Sequence, residues 1–114
     1  FAEPNETLEM PVAHGEGKIV ARSPEILTEL ASRGQIVYRY ASASGGPPAY
    51  PENPNGAQDH IAGLCDPSGR VFGLMPHPER HLYAHQHPRW TREGRTGEGE
   101  GLRLFRRVID KCRS

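Results

Sequence analysis

Apolar positions along the chain fall into short, punctuated runs rather than long ones. Ile26, Leu27, Leu30 and Ala31 recur at helical spacing. They follow Ser23-Pro24-Glu25, which offers a capping hydroxyl, a proline for the first helical position and an acid for the first turn. Gly34 comes after Arg33 as a stop, so a helix of about three turns is expected. Gln35–Ala41 (QIVYRYA) is β-branched and aromatic and reads as a strand. His60–Asp66 and Arg70–Met75 read as two more strands, joined through Asp66-Pro67-Ser68-Gly69. That tetrapeptide has Asp, Pro and Gly where a type I turn wants them, so a β-hairpin is expected.

Leu102, Phe105, Ile109 and Cys112 again fall at helical spacing, with Leu104 and Val108 widening the apolar side. Arg103, Arg106, Arg107 and Lys111 occupy much of the remainder. A C-terminal helix from roughly Gly99 to Cys112 follows. Near the start, Leu8–Val12 and Lys18–Ala21 have extended character on either side of a glycine-flexed bend, Ala13-His14-Gly15-Glu16-Gly17. Gly45–Gly56 and Arg92–Gly101 concentrate glycine and proline and read as loops. Three strands, two helices and long loops make an α/β or α+β unit whose sheet looks incomplete. Strand and helix do not alternate often enough to cover both faces of a parallel sheet.

Composition narrows the class. A length of 114 residues suits one domain, taken here as residues 1–114. Lys and Arg number 14 against 14 Asp and Glu, which argues against a polybasic arm or an acidic tail. Leu, Ile, Val and Phe total only 21 residues, so the core is thin. Disorder driven by charge would need a net charge that is absent. No apolar run approaches the length of a membrane span. Neither nucleic acid nor membrane is therefore expected as a partner. Two cysteines, Cys65 and Cys112, are too few for a disulfide scaffold, and a reduced, cytoplasmic setting is the default. The chain opens on Phe1 with no helix start or signal pattern and reads like a cut through a longer protein.

Met75-Pro76-His77-Pro78-Glu79-Arg80 carries the most suggestive chemistry. Prolines on both sides of His77 forbid helix and set the imidazole on a rigid loop after a strand. Glu79 could accept a hydrogen bond from one ring nitrogen and leave the other free as a base. The plain alternative is two polar residues on an exposed loop. His77, His81, His85 and His87 also invite a metal reading, against a solvated surface run with no cysteine to join it. Arg80, Arg89, Arg92 and Arg95 with Tyr83 and Trp90 could bind phosphate or nucleic acid by charge and stacking, but Glu79 and Glu93 dilute the charge, and a protein contact or a plain exposed loop is the alternative. Ala13–Lys18 fails as a phosphate loop, because Ile19 stands where Ser or Thr should follow the lysine. Cys65 is followed by Pro67 and a hairpin instead of a helix, so it reads as a buried strand residue and not as a nucleophile.

In order, the segments Met10–Lys18 (MPVAHGEGK), Tyr50–Gly56 (YPENPNG), Ile61–Arg80 (IAGLCDPSGRVFGLMPHPER), Trp90 and Gly101–Ile109 (GLRLFRRVI) match a family pattern. The chain resembles the C-terminal half of the glutaminase part of phosphoribosylformylglycinamidine synthase, a class I glutamine amidotransferase. The resemblance implies the C-terminal part of a flavodoxin-like α/β domain. It implies that His77 is the general base of a Cys–His–Glu triad and that Glu79 orients it. The substrate would be glutamine, and the ammonia would pass to an ATP- and Mg-dependent synthetase subunit or domain. No cofactor is implied for this domain itself. The family's nucleophile elbow and oxyanion donors precede the AHGEGK segment, so they would belong to an N-terminal half missing from this chain. Residues 1–114 alone would then be inactive. Two rival readings stay open: a non-catalytic module that binds the synthetase, and a histidine-rich metal-binding module.

Overall fold

The computed structural model describes residues 6–13 and 17–113. The bend at His14-Gly15-Glu16 lies outside the described residues. The chain divides into two compact units, His14–Met75 and Phe1–Ala13 with Pro76–Ser114.

In the first of these units, helix α1 spans Pro24–Ser32. Ser23 has the extended backbone of an N-cap, yet its side chain makes no capping hydrogen bond. Pro24 and Glu25 occupy the helix start as their chemistry suggests. The far end closes as a Schellman motif: Gln35 N–H donates to the Leu30 carbonyl at 2.9 Å and Gly34 N–H to Ala31 at 3.2 Å. Gly34 takes a φ of +67°, where a side chain would be strained. Leu27 and Leu30 are half-buried, while Ile26 is exposed.

Strands β1 (Ile36–Arg39), β2 (Ile61–Cys65) and β3 (Phe72–Leu74) form one antiparallel sheet in the order β1-β2-β3. All three are shorter than the expected Gln35–Ala41, His60–Asp66 and Arg70–Met75. The β1–β2 register shifts between Ile36 and Tyr38 and again before Arg39, which breaks the ladder. Asp59 and His60 have positive φ values of 50° and 56° and so cannot extend β2 backwards. The Asp66–Val71 connection takes the residues between β2 and β3. Gly69 N–H donates to the Asp66 carbonyl at 3.0 Å, closing the expected turn. Asp66 also accepts from Arg70 N–H at 3.1 Å, Val71 N–H at 3.0 Å and the Ser68 hydroxyl at 2.7 Å. The hydrogen bond from Ser68, with those from the backbone, holds the Asp66 carboxyl below its usual range.

Central position makes β2 the core strand, with Ile61 fully enclosed and Ala62 and Ala57 also buried. Asn53 is buried with them and holds its loop by hydrogen bonds. Its side chain accepts from Ala57 N–H at 3.0 Å and donates to His60 Nδ1 at 2.9 Å. The Gly45–Gly56 loop is thus anchored from within. Lys18–Ala21 forms no strand: Gln58 instead binds Ile19 and Ala21 through its backbone N–H and side-chain oxygen. Cys65, expected to be buried, is half-buried.

In the second unit, helix α2 spans Glu100–Arg113, starting and ending one residue later than expected. Short 3₁₀ turns occupy Pro78–Arg80 and Ala84–Gln86. Leu8–Val12 is not a strand. It belongs to a segment tied to α2 by acids: Glu6 accepts from Arg103 and Arg107 at 2.8 Å, and Glu100 accepts from Glu9 N–H at 2.6 Å. Leu104 is buried, whereas Phe105, Val108 and Ile109 are exposed. Cys112 is exposed as well, so the apolar side of α2 is covered at one end only.

Candidate active site

His77 is fixed by its backbone before its side chain is considered. Its N–H donates to the Pro11 carbonyl at 2.7 Å, which ties it to the segment that Glu6 and Glu9 hold down. Its own carbonyl accepts from Arg80 N–H at 3.1 Å, opening the 3₁₀ turn Pro78–Arg80. Pro78 begins that turn, where a missing N–H costs nothing and a fixed φ helps. The turn brings residue 79 back toward residue 77. His77 Nδ1 and Glu79 Oε1 lie 2.6 Å apart.

With the carboxylate accepting from Nδ1–H, the ring's basic nitrogen is Nε2, which has no hydrogen-bond partner among the described residues. The His77 side chain is 35% exposed, so that nitrogen belongs to a ring open to solvent. The hydrogen bond from His77 is the main influence holding the Glu79 carboxyl below its usual range, with help from its own backbone N–H and the charge of Arg80. An ionised, exposed carboxylate orienting an imidazole is what general-base chemistry requires of such a pair.

Helix α2 backs the turn closely. Gly101 N–H donates to the His81 carbonyl at 2.9 Å and Gly99 N–H to Leu82 at 2.8 Å. The remaining histidines depart from the solvated run expected of them. His81 and His87 are buried, with rings 5.5 Å apart. His81 Nδ1 donates to the Glu9 carbonyl at 2.7 Å, and the Glu9 carboxylate accepts from His87 Nε2. His87 Nδ1 in turn accepts from Arg89 N–H at 3.0 Å. These rings are interior struts for the N-terminal segment. His85 alone of the three stays outside, stacked on Tyr83 at 5.5 Å with Trp90 edge-on. Among the described residues no group of three or more His, Cys, Asp or Glu could hold a metal ion.

Two of the four arginines, Arg89 and Arg95, are taken up by acids, while Arg80 and Arg92 are exposed. Glu93 accepts from Arg89 at 2.8 Å and from Arg95 at 2.5 Å, and Arg95 also lies 3.6 Å from Glu9 and from Glu100. Reading along the sequence missed Glu6, Glu9, Gly99 and Gly101 as parts of this framework. A faint signal existed: glycines alternate at 97, 99 and 101, just where a helix begins.

Residues 1–110 match the family model described as a CobB/CobQ-like glutamine amidotransferase domain. The chain is 44% identical over 113 residues to phosphoribosylformylglycinamidine synthase subunit PurQ of Dehalococcoides mccartyi, covering 99% of this chain and 43% of that protein. It is 47% identical over 103 residues to the PurQ subunit of Archaeoglobus fulgidus, covering 88% of this chain and 36% of that one. A PurQ subunit of a Synechococcus strain is 55% identical over 74 residues, 65% of this chain and 28% of its own length. The chain therefore spans less than half the length of these curated relatives. They bear out the resemblance drawn from the motifs.

Proposed function

This chain belongs to the CobB/CobQ-like glutamine amidotransferase domain family, and from that premise we propose that it supplies the base-bearing part of a glutaminase. His77 acts as general base and Glu79 orients it. The observation that carries this reading is the 2.6 Å His77–Glu79 hydrogen bond on a proline-framed turn, with Nε2 left unpartnered among the described residues. In the reaction a cysteine thiol gives its proton to the imidazole, and the thiolate attacks the side-chain amide carbon of glutamine. Ammonia leaves with a proton returned from the imidazolium. Water, deprotonated by the same base, then releases glutamate from the thioester.

Neither described cysteine fits that nucleophile. Cys65 lies within β2 and Cys112 near the end of α2. The proposal therefore takes the cysteine and the oxyanion donors from polypeptide N-terminal to this chain. That polypeptide would complete the flavodoxin-like domain, in keeping with relatives more than twice as long. The relatives are named as synthase subunits, which supports a synthetase partner that uses ATP and Mg and takes up the ammonia for purine biosynthesis. Two free cysteines agree with a cytoplasmic setting.

The test is glutamine-dependent ammonia release by the product of the complete open reading frame encoding this chain. Activity that His77→Ala abolishes is expected, with none from residues 1–114 alone. Undiminished release in His77→Ala would remove the imidazole from the mechanism. A complete protein with no nucleophilic cysteine upstream would favour the non-catalytic synthetase-binding module.

A further inference from the structure

We propose that Gly101 is a positioning residue for the His77–Glu79 pair, its missing side chain making room for the Pro78 carbonyl that sets the turn; this rests on the glutaminase reading above. A Cβ built at residue 101 would lie 2.0 Å from the Pro78 oxygen, 2.7 Å from its carbonyl carbon and 2.8 Å from its Cα. All three are backbone atoms, so no side-chain rotation relieves the overlap. A Cβ at Gly99 would meet the His81 carbonyl in the same way, 2.2 Å from its oxygen. The other glycines described from Gly34 to Gly97 meet no backbone atom nearer than 3.4 Å. Both tight approaches therefore fall on the one turn that presents His77 and Glu79.

Glycine is a poor choice for the second residue of a helix on propensity grounds. Its presence at the start of α2 is explained by what it admits. The Pro78 carbonyl accepts from His81 N–H at 3.0 Å, and the His81 carbonyl accepts from Gly101 N–H at 2.9 Å. The turn is thus gripped between its own hydrogen bond and the helix. Displacing the Pro78 carbonyl rotates the peptide that leads into Glu79, whose carboxylate must reach His77 Nδ1 at 2.6 Å. A shift of about 1 Å in such a pair costs on the order of a hundredfold in rate.

The experiment uses the product of the complete open reading frame and reads Glu79 directly, by carboxyl carbon-13 NMR titration, beside glutaminase kinetics and thermal melting. Glu79 faces His77 and lies near the charge of Arg80, and its titration below the usual range reports the His77 hydrogen bond. Gly101→Ala is expected to return that titration toward the ordinary glutamate range. It should also lower kcat about a hundredfold with KM nearly unchanged. Pro78→Gly loosens the same turn without inserting an atom and should give the same two changes, which keeps the test open if Gly101→Ala does not fold. Leu104→Ala, which removes a buried side chain of the same helix without placing an atom against the Pro78 carbonyl, should lower the melting temperature and leave the Glu79 titration where it was. A low Glu79 titration retained in Gly101→Ala, or in Pro78→Gly where the first does not fold, would overturn the proposal. Failure of the glutaminase reading is separately visible as undiminished ammonia release in His77→Ala, whatever Glu79 does.

Discussion

The Glu9 carboxylate accepts a hydrogen bond from Nε2 of His87, a side chain 5% exposed and 78 residues further along the chain. One residue thus serves three directions: its carboxylate meets His87, its carbonyl meets His81 and its N–H meets Glu100. Two residues later, Pro11 accepts from the His77 backbone. The segment that steadies the candidate base is itself held in place by two buried histidines.

Removing the Glu9 side chain should therefore be costly. Glu9→Ala leaves the His87 ring N–H buried without an acceptor, a loss of about 1–3 kcal/mol. We expect a lowered denaturation midpoint for the complete protein. Faster amide exchange at His77, whose acceptor Pro11 loses its anchor, should accompany it. Unchanged exchange at His77 would mean that Pro11 is held without Glu9.

Glu6 gives the cluster a dependence on acid. Hydrogen bonds from Arg107 and Arg103 lower its carboxyl from 4.5 to about 2, its side chain being only 17% exposed. A carboxyl depressed in the folded state stabilises that state fully above its unfolded value and loses the contribution as pH falls through the folded one. The Glu6 contribution is thus present above about pH 4.5 and lost progressively toward pH 2. Chemical denaturation across that window should show a steeper loss of stability in the wild type than in Glu6→Gln. Equal slopes would remove Glu6 as the source.

The first unit depends on one side chain in a thin core. Ile61 is 0% exposed on the central strand. Ile61→Ala should cost about 2–5 kcal/mol and Ile61→Val about 0.5–1.5 kcal/mol. Urea melts of the complete protein check both values, and near-equality of the two variants would mean that the site collapses around the smaller side chain.

What could be seen in the sequence was what a few neighbouring residues decide. Asp66-Pro67-Ser68-Gly69 closes its turn through its own atoms, and Gly34 ends α1 with bonds reaching back only to Leu30 and Ala31. The His77–Glu79 pair was visible for the same reason, since Pro78 sets the geometry of the two residues beside it. The late start of β2 is hidden because the left-handed backbone at Asp59 and His60 carries no glycine to announce it. Histidine burial was missed because Glu9, which makes it tolerable, lies 72 residues from His81 and 78 from His87. Gly101 was hidden for a related reason: its role is set by a carbonyl on another turn, and carbonyls leave no mark in a sequence.

The Asp66 turn also orders events in time. Its donors and acceptors lie within five residues of one another, so the β2–β3 hairpin can close on the scale of microseconds. Glu6 and Arg107 are 101 residues apart, and their meeting waits on closure of nearly the whole chain. During refolding, pulse-labelled exchange should protect the Arg70 and Val71 amides well before those of Glu9 and His77. The candidate base is then among the last parts of this chain to reach its working position, since the segment and helix that hold it come from opposite ends of the sequence.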